Sequence, residues 1–492
     1  MKNSLLFLAV LILVFAVNGH APADAQTFPV QPIMVNGATD DRINIVFLSE
    51  GYTSAEMSQF ILDVQSATID LFDTPPYEEY ELYFNVYAIE VPSVESGTDH
   101  PYTASDCPDG LETFFSNTYF NSTFDFGGIH RLLVVQNSLA VSSVLTDNFP
   151  EWDVVFIVVN HPYYGGSGGS FATFSTHTAA SEVAIHELGH SFADLADEYE
   201  YGGMPGYEAP NATAETQREL IRWNNWIELS TPIPTPETPV YENVVGLFEG
   251  AVYNPVGWYR PKLDCKMRAL GIPFCEVCAE QTIISVYNIL STIEDYDPPS
   301  PVVTLYQSEI KEFSVTTPEP TPNTIETTWS IDGMPVAVGT NSYWLNATEH
   351  GLGTFVLDAV SRDTTELVRT DPGGLLEADV TWTVEIDTVV TAVGDVVGMG
   401  REARLYQNVP NPFNPVTTIR YYIPEDGHTT LIIFDVTGEK VKTLVDGMQT
   451  NGEKTAIWDG LNDSGQRVSS GIYFYKLHTR REDRVKKMLL VK

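Results

Sequence analysis

Apolar residues recur at helical spacing in the segment from Ser181 to Tyr199. Residues three or four positions apart share one face of a helix, so this spacing predicts a helix with an apolar stripe. The stripe consists of Ile185, Leu188, Phe192 and Leu195. His186 and His190 fall roughly opposite the stripe, one helical turn apart. The pattern therefore predicts a helix that is buried on one side and presents two imidazoles to a cleft on the other.

Apolar runs of strand length alternate with helical stretches from Asp41 to Glu280. The predicted strands are Ile43–Leu48, Phe84–Val91, Arg131–Val135 and Asp153–Asn160. Such alternation is typical of an α/β domain, with the helix of the two histidines packed on the sheet.

The pattern changes to short strands and turns after a proline-rich break at Asp297–Pro301. Strand-like runs at Thr327–Ile331, Gly353–Ala359 and Val380–Ile386 predict a β-sandwich of immunoglobulin type. A spacer is the commoner role for such a module, and polymer binding is the alternative. The chain is therefore expected to be multidomain, with an α/β domain over 26–297, a sandwich over 298–387, a linker over 388–402 and a last β-module over 403–492.

His186, Glu187 and His190 form an H-E-x-x-H motif, in which two imidazoles on one helix face can share a metal ion. Glu187 lies about 100° around the helix from His186, which suits a general base beside the metal rather than a ligand. The motif predicts zinc-dependent hydrolysis in a zincin-like α/β domain, with His186 and His190 as zinc ligands and Glu187 as general base. The alternative is a core helix with two incidental histidines.

Catalytic zinc usually takes a third protein ligand, and the candidate is Asp197. On an unbroken helix Asp197 would lie roughly 10 Å beyond His190, which is too far to share a metal ion. The helix must therefore end between them, and no glycine is present there to form the turn. Asp194 is the expected substitute, because Asp and Asn adopt positive φ more readily than other non-glycine residues. Glu198 is the alternative third ligand.

The N-terminus has the three parts of a secretory signal peptide over residues 1–25. They are Lys2, the apolar run Leu5–Val17 and the A-x-A site Ala23–Ala25. No later segment approaches the length needed to cross a membrane, so no stable membrane span is expected. The formal net charge of −40 disfavours nucleic acid or an anionic membrane as a partner.

Four glycines occur within five positions in the loop Tyr163–Gly169. Glycine lets the backbone approach a ligand closely, and the following Ser170–Ser175 is a candidate edge strand for pairing with an extended substrate. A flexible loop is the alternative.

The sequence contains four cysteines, at positions 107, 265, 275 and 278. Disulfides are expected in a secreted protein, and their pairing cannot be read from the spacing. A second zinc site at Cys265, Cys275 and Cys278 is the alternative, but the sequence shows no fourth ligand nearby.

The stretch from about Asn36 to Ile289 resembles the IgA peptidase family of zinc metallopeptidases. The matching pieces, in order, are Arg42–Leu48 with Gly51–Thr53, Tyr83–Tyr87, Tyr164–Gly169, His186–His190 running into Leu195–Tyr199, Tyr259–Pro261, Cys265–Met267 and Phe274–Cys278. This resemblance implies a zinc peptidase with His186, His190 and Asp197 as ligands and Glu187 as base. It also suggests Met267 as a methionine turn beneath the metal, with an ordinary core methionine as the alternative. Family members have glycine where this chain has Asp194.

The segment from Leu405 to Lys492 resembles the C-terminal sorting domains of type IX secretion, which are similar to the Ig-like domain of flagellar hook-capping proteins. The matching pieces are Leu405–Pro415, Trp458–Gly460, Ser470–Tyr475 and Lys487–Lys492. The resemblance implies a secretion machinery as partner, and release from a bacterium or attachment to its outer surface.

Together these features predict a secreted zinc endopeptidase that acts on a protein or peptide. One alternative is a surface adhesin whose zincin domain only binds. Another is a zinc hydrolase of a non-protein amide.

Overall fold

The computed structural model describes residues 27–169, 171–200, 205–388, 403–408, 411, 413, 415–435, 438, 440–480 and 483–490. The predicted signal peptide and residues 389–402 of the predicted linker lie outside these ranges. The chain divides into two compact units, the first ending at Thr388 and the second starting at Val389. Among the described residues, no helix has both the length and the apolar character needed to cross a membrane.

A six-stranded sheet forms the centre of the first unit, in the order β1-β3-β2-β6-β8-β7. Its strands are β1 (Val30–Met34), β2 (Ile43–Glu50), β3 (Phe84–Ile89), β6 (Val154–Val159), β7 (Gly166–Ser167) and β8 (Ala172–Ser175). The four inner strands are parallel, whereas β1 and β7 run antiparallel to their neighbours at the two edges. Three of the four predicted strands are confirmed. The fourth, Arg131–Val135, is reduced to β5 (Val134–Val135), which pairs with β4 (Ser122–Thr123) outside this sheet.

Helices cover both faces of the sheet. They are α1 (Met57–Phe72), α2 (Ser138–Asn148), α3 (Ala180–Ala193) and α4 (Glu276–Ile289). Every residue of β2 is buried, and alternate side chains enter two different cores. Ile45 and Phe47 lie in one core, which includes buried residues of α1, α3 and α4. Val46 and Leu48 lie in the other core, which includes buried residues of α2. A parallel sheet covered in this way explains why β2 is apolar without alternation. The short strands β9 (Phe248–Ala251) and β10 (Asn254–Arg260) form a separate hairpin.

The rest of the first unit is mostly β-structure. Its elements are β11 (Asp295–Asp297), β12 (Val302–Tyr306), β13 (Ile310–Thr316), β14 (Ile325–Ile331), β15 (Met334–Val338), β16 (Ser342–Asn346), α5 (Ala347–His350), β17 (Gly353–Asp363) and β18 (Glu377–Asp387). They form sheets of order β11-β13-β16 and β12-β18-β17-β14-β15. Both sheets contribute to one core, in which Trp329 and Trp382 stack with ring centroids 5.8 Å apart.

Direct contacts join this β-region to the α/β part of the first unit. The backbone N–H groups of Arg369 and Thr370 donate to Glu280 Oε1 at 2.6 and 2.7 Å. Trp226 Nε1 donates to the other oxygen of the same carboxylate at 2.7 Å. The hydrogen-bond partners of this buried carboxylate therefore come from both regions.

The second unit contains two β-sheets. Its strands are β19 (Arg404–Leu405), β20 (Thr417–Ile423), β21 (Gly427–Phe434), β22 (Lys440–Gln449), β23 (Gly452–Trp458), β24 (Gly471–His478) and β25 (Asp483–Leu490). The sheet orders are β19-β20-β23 and β22-β21-β24-β25. Alternate residues of β24, including Tyr475 and Leu477, enter a core shared with Trp458.

Candidate active site

Helix α3 ends at Ala193, and Asp194 adopts a left-handed conformation with φ 51° and ψ 26°. The N–H of Leu195 donates to the carbonyl of Gly189 at 3.0 Å, which closes the last turn of the helix. The predicted turn at Asp194 is therefore confirmed. The turn ends the helix before Asp197, as a third ligand at that position requires.

The two histidines and Asp197 converge on one point. His186 Nε2 lies 3.2 Å from His190 Nε2, and Asp197 Oδ1 lies 3.1 Å from the first and 3.2 Å from the second. These three atoms form one of the groups in the described chain that could hold a metal ion. His186 and Asp197 are buried, and His190 is partly exposed to the cleft.

Hydrogen bonds on the far side of each ring orient this trio. His186 Nδ1 donates to the carbonyl of Lys266 at 2.9 Å, and His190 Nδ1 donates to that of Leu195 at 2.6 Å. Because a carbonyl can only accept, both protons are at Nδ1, and the Nε2 lone pairs face Asp197. The hydroxyl of Tyr253 donates to the second oxygen of Asp197. Outward donation from metal-binding histidines is the usual arrangement around protein metal ions, so the residues present fit a divalent metal.

The Asp197 carboxylate is held in its charged form. Burial alone would raise the pKa of Asp197, but its close contacts with His186 and His190 outweigh burial and bring the pKa well below the usual range. A carboxylate that stays ionised is available as a ligand at neutral and acidic pH.

Glu187 lies on the cleft side of α3 without joining the trio. Burial raises the pKa of its carboxyl group, and the neighbouring His186 and His190 oppose that effect. A Cβ atom added to Gly168 would lie only 1.9 Å from Glu187 Oε2. The glycine-rich loop thus makes room for the Glu187 carboxylate, a purpose that the sequence pattern did not reveal.

A cleft of about 770 Å³ opens over His190, Asp197 and Glu187. Its other walls come from the glycine-rich loop and from a group of aromatic and basic side chains: Arg131, Tyr164, Tyr199, Tyr207 and Tyr253. The prediction of Ser170–Ser175 as the edge strand was wrong. β8, within the predicted Ser170–Ser175, lies between β6 and β7, and the glycine-rich loop itself supplies the edge strand β7.

Met267 is fully buried beneath α3. A Cβ atom on Gly189 would lie 2.6 Å from the Met267 sulfur, so the helix and Met267 are in close contact between the two histidines. The carbonyl of Met267 accepts a hydrogen bond of 2.9 Å from the N–H of Glu198. Met267 therefore supports both the histidine helix and the segment that carries Asp197.

Glu198 points away from the histidines. Asn211 Nδ2 donates to its Oε1 at 2.9 Å, and Cys278 Sγ lies 3.4 Å from the same oxygen. Of the two carboxylates considered as the third ligand, Asp197 is therefore the one that the fold brings to His186 and His190.

The expected disulfides are not formed, since all four cysteines are free thiols. Cys265, Cys275 and Cys278 lie together with Glu198 in one buried group. Cys107 belongs to a different group, with His100, Asp125 and His130. Cys107 lies with residues of another part of the fold and has no cysteine beside it among the described residues. The Sγ atoms of Cys265 and Cys278 are 3.6 Å apart, which is longer than the S–S bond of about 2.0 Å.

The fold and site together define a class: an α/β peptidase domain with a candidate metal centre in its cleft. The sequence profile of the IgA Peptidase M64 family matches residues 32–242 and 237–287, which is more than half of the chain, and the chain belongs to that family. The FlgD Ig-like domain profile matches residues 415–483. The resemblances to the IgA peptidase family and to the Ig-like domain of flagellar hook-capping proteins are thereby confirmed.

Comparison with other proteins adds only distant similarities. No curated protein matches the chain. Dimeric latent PorU from Porphyromonas gingivalis is 15% identical with a TM-score of 0.24, and the match covers 40% of this chain and 19% of PorU. FlgD from P. aeruginosa is 20% identical with a TM-score of 0.13, over 15% of this chain and 57% of FlgD. The chain thus spans about a fifth of the first of these proteins and just over half of the second.

Proposed function

We propose that the protein is a secreted zinc-dependent endopeptidase. One observation carries the proposal: two imidazole Nε2 atoms and one carboxylate oxygen lie 3.1 to 3.2 Å apart, beside the separate, partly buried carboxyl group of Glu187. Two histidines and one carboxylate are the ligand set of several zinc hydrolases, in which a fourth position is left for water. The α/β domain is, on this proposal, zincin-like.

His186, His190 and Asp197 would hold the ion. A zinc ion bound there would supply a Lewis acid that polarises a water molecule and the scissile carbonyl. Glu187 accepts the proton of the attacking water and transfers it to the leaving amine. Its raised pKa suits the first step, because a carboxylate with a higher pKa is a stronger base toward water.

The substrate is a protein or peptide in an extended conformation. β7 is an edge strand of the central sheet and contributes to the cleft that contains Glu187. An extended peptide can add to such an edge through backbone hydrogen bonds. Gly168, immediately after β7, leaves room for the Glu187 carboxylate beside that path.

The β-regions are proposed to serve export and spacing. The sandwich predicted over 298–387 is assigned as an Ig-like spacer, and residues 403–492 as a type IX secretion sorting domain that engages the secretion machinery. On this proposal the protein is released from a bacterium or attached to its outer surface. The match of residues 415–483 to the FlgD Ig-like domain supports the assignment of the second module.

Digestion of a denatured, diverse protein mixture tests the proposal. Residues 26–492 and the variant Glu187→Gln would each be incubated with the mixture, fragments identified by mass spectrometry and zinc counted per chain. We expect fragments from the parent only, with zinc retained at His186, His190 and Asp197 in both proteins.

Two outcomes would contradict the proposal. Equal cleavage by both proteins would remove Glu187 from the reaction. Zinc binding without cleavage by either, against native surface proteins as well, would favour the adhesin alternative.

A further inference from the structure

We propose a second zinc site, separate from the cleft, formed by His100, Cys107, Asp125 and His130. These residues come from the long segment between β3 and α2. Their ligand atoms all lie within 4.8 Å of one another. Because four protein ligands leave no position for water, the site would be structural rather than catalytic.

The contacts among the four side chains are close and centred on one region. Asp125 Oδ1 lies 2.9 Å from His130 Nδ1, 3.3 Å from Cys107 Sγ and 3.6 Å from His100 Nε2. Cys107 Sγ lies 3.5 Å from His130 Nδ1 and 3.9 Å from His100 Nε2. Ligands about 2.0 to 2.3 Å from a tetrahedral zinc ion are separated from each other by roughly 3 to 4 Å, so these separations fit such an ion.

The protonation of His100 also fits a ligand role. Its Nδ1 lies 2.6 Å from the carbonyl of Glu112, so the proton is at Nδ1 and the Nε2 lone pair faces Cys107 and Asp125. The second oxygen of Asp125 accepts a hydrogen bond of 2.8 Å from the N–H of Thr103. Each of these two ligands is thus oriented by a partner outside the group, as is usual around metal ions.

Burial and charge favour a metal ion over a hydrogen-bonded cluster. The side chains of His100 and Asp125 are 0% exposed, and that of His130 is 12% exposed. A thiolate and a carboxylate provide two negative charges, which zinc would neutralise without leaving net charge in a buried place. A set of one sulfur, two imidazoles and one oxygen is suited to zinc and poorly suited to calcium or magnesium.

The site would stabilise a segment that has little regular structure of its own. Between β3 and α2 the described chain contains only the two-residue strands β4 and β5 and one short 3-10 turn. The ligands join points up to thirty residues apart, and the last of them, His130, precedes Arg131. The carbonyl of Arg131 accepts from the N–H of Gly166 in β7 at 3.1 Å, and its side chain lines the cleft. The ion would therefore fix one wall of the active site.

Residue-specific alkylation on the unaltered full chain tests this site. Zinc-loaded protein and protein stripped with a chelator would be treated with a maleimide, and modified cysteines identified by peptide mass spectrometry. Cys107 is partly exposed, so we expect it to react in the stripped protein and to be protected by at least tenfold in rate when zinc is bound. Equal reactivity in both states would overturn the proposal.

Zinc counting on variants provides the second readout. Asp125→Asn should reduce the zinc content by one ion per chain, whereas the matched control Asp109→Asn, an exposed carboxylate in the same segment, should not. His186→Ala should remove a different ion while Cys107 stays protected. An unchanged zinc content in folded Asp125→Asn would contradict the proposal. Failure of the His186, His190 and Asp197 site alone to bind zinc would contradict the proposed function and leave this second site unaffected.

An independent observation points to a third site, which we assign to Glu198, Cys265, Cys275 and Cys278. All four residues are buried, and their ligand atoms lie within 4.8 Å of one another. Cys278 Sγ is 3.6 Å from Cys265 Sγ and 3.4 Å from Glu198 Oε1. The other oxygen, Glu198 Oε2, is buried with no hydrogen-bond partner. An unsatisfied carboxylate oxygen beside three thiols is costly unless a cation is bound there. Glu198 is the fourth ligand that the sequence did not reveal.

Cobalt substitution distinguishes this third site from the second. A Cys107→Ser chain loaded with cobalt retains thiols only at the third site, because the His186 trio contains no sulfur. We expect it to keep a sulfur-to-cobalt charge-transfer absorption, which the further change Cys275→Ser would abolish. Absence of that absorption in folded Cys107→Ser would overturn the assignment. If Cys107→Ser does not fold, absence of the absorption in the unaltered chain would overturn it instead.

Discussion

The hydroxyl of Tyr80 donates a hydrogen bond of 2.6 Å to Asp363, which lies at the end of β17 in the β-region of the first unit. The hydroxyl of Tyr287, in α4, donates to the same oxygen at 2.7 Å, and Thr324 Oγ1 donates to the other oxygen at 2.6 Å. Asp363 is 2% exposed. The Asp363 carboxylate, like that of Glu280, therefore joins the α/β domain to the β-region.

Replacing Asp363 by alanine should strongly destabilise the first unit. The change would leave two buried tyrosine hydroxyls without their acceptor, and we expect a loss of about 3 to 5 kcal/mol in the free energy of unfolding. Denaturant unfolding measures the effect. Asp379→Ala, on the exposed face of β18, is the matched control and should change stability by less than about 0.5 kcal/mol. Equal stability of the two variants would show that Asp363 does not join the two regions.

Tyr253→Phe should weaken metal binding while leaving the fold intact. The hydroxyl of Tyr253 donates to Asp197 and fixes the orientation of its carboxylate. Loss of such an outer hydrogen bond typically costs about 10- to 100-fold in metal affinity. Competition with a chromogenic chelator measures the affinity. Tyr207→Phe, which removes a hydroxyl from the exposed part of the cleft, should bind zinc as the parent does.

Gly168→Ala should reduce peptidase activity by about 100-fold or more, the usual contribution of a general base. The added methyl group would occupy the space of Glu187 Oε2 and displace the carboxylate. Zinc content and melting temperature should stay near the parent values, because the three atoms nearest to the added Cβ all belong to Glu187 and not to a proposed ligand. Gly447→Ala, where an added Cβ meets no atom within 4 Å, is the control. Full activity of Gly168→Ala would exclude the proposed position of the base.

Substitutions at Asp194 should separate conformational strain from chemistry. Asp194→Gly should be tolerated within about 1 kcal/mol, because glycine adopts positive φ without steric cost. Asp194→Val should cost about 1 to 2 kcal/mol and lower the zinc affinity, since a β-branched residue disfavours the turn that returns Asp197 to the histidines. Thermal unfolding with and without zinc measures both effects. A valine variant as stable and as tightly metal-bound as the parent would show that the turn does not depend on residue 194.

Acid should destabilise the protein partly through His161. Burial, with a smaller effect from the neighbouring His100, lowers the pKa of His161 from 6.5 to about 4. The unfolded chain therefore takes up the proton first as the pH falls, and stability present above pH 6.5 is lost between about 6.5 and 4. Allowing for partial exposure, this loss is about 2 kcal/mol. His161→Phe, which keeps the ring stacked on Phe114, should lose correspondingly less stability in denaturant unfolding across that pH range. An identical pH slope would contradict the assignment.

The amino-acid sequence by itself determined the features that depend on local spacing. The alternation of strands and helices, the helix of His186 and His190, and the turn at Asp194 follow from side-chain periodicity and from the few residues that tolerate positive φ. These are short-range effects, so they can be read without knowing the rest of the chain.

The tertiary structure decided which distant residues meet. Asp197 rather than Glu198 joins the histidines, and Glu198 instead completes a group with cysteines nearly 70 to 80 residues further along the chain. Cys107 lies with two histidines rather than with another cysteine, and β7 rather than β8 forms the sheet edge. Such contacts depend on how the sheet, its helices and its long connections pack together. Because packing is a property of the whole chain, no local pattern of residue types encodes it.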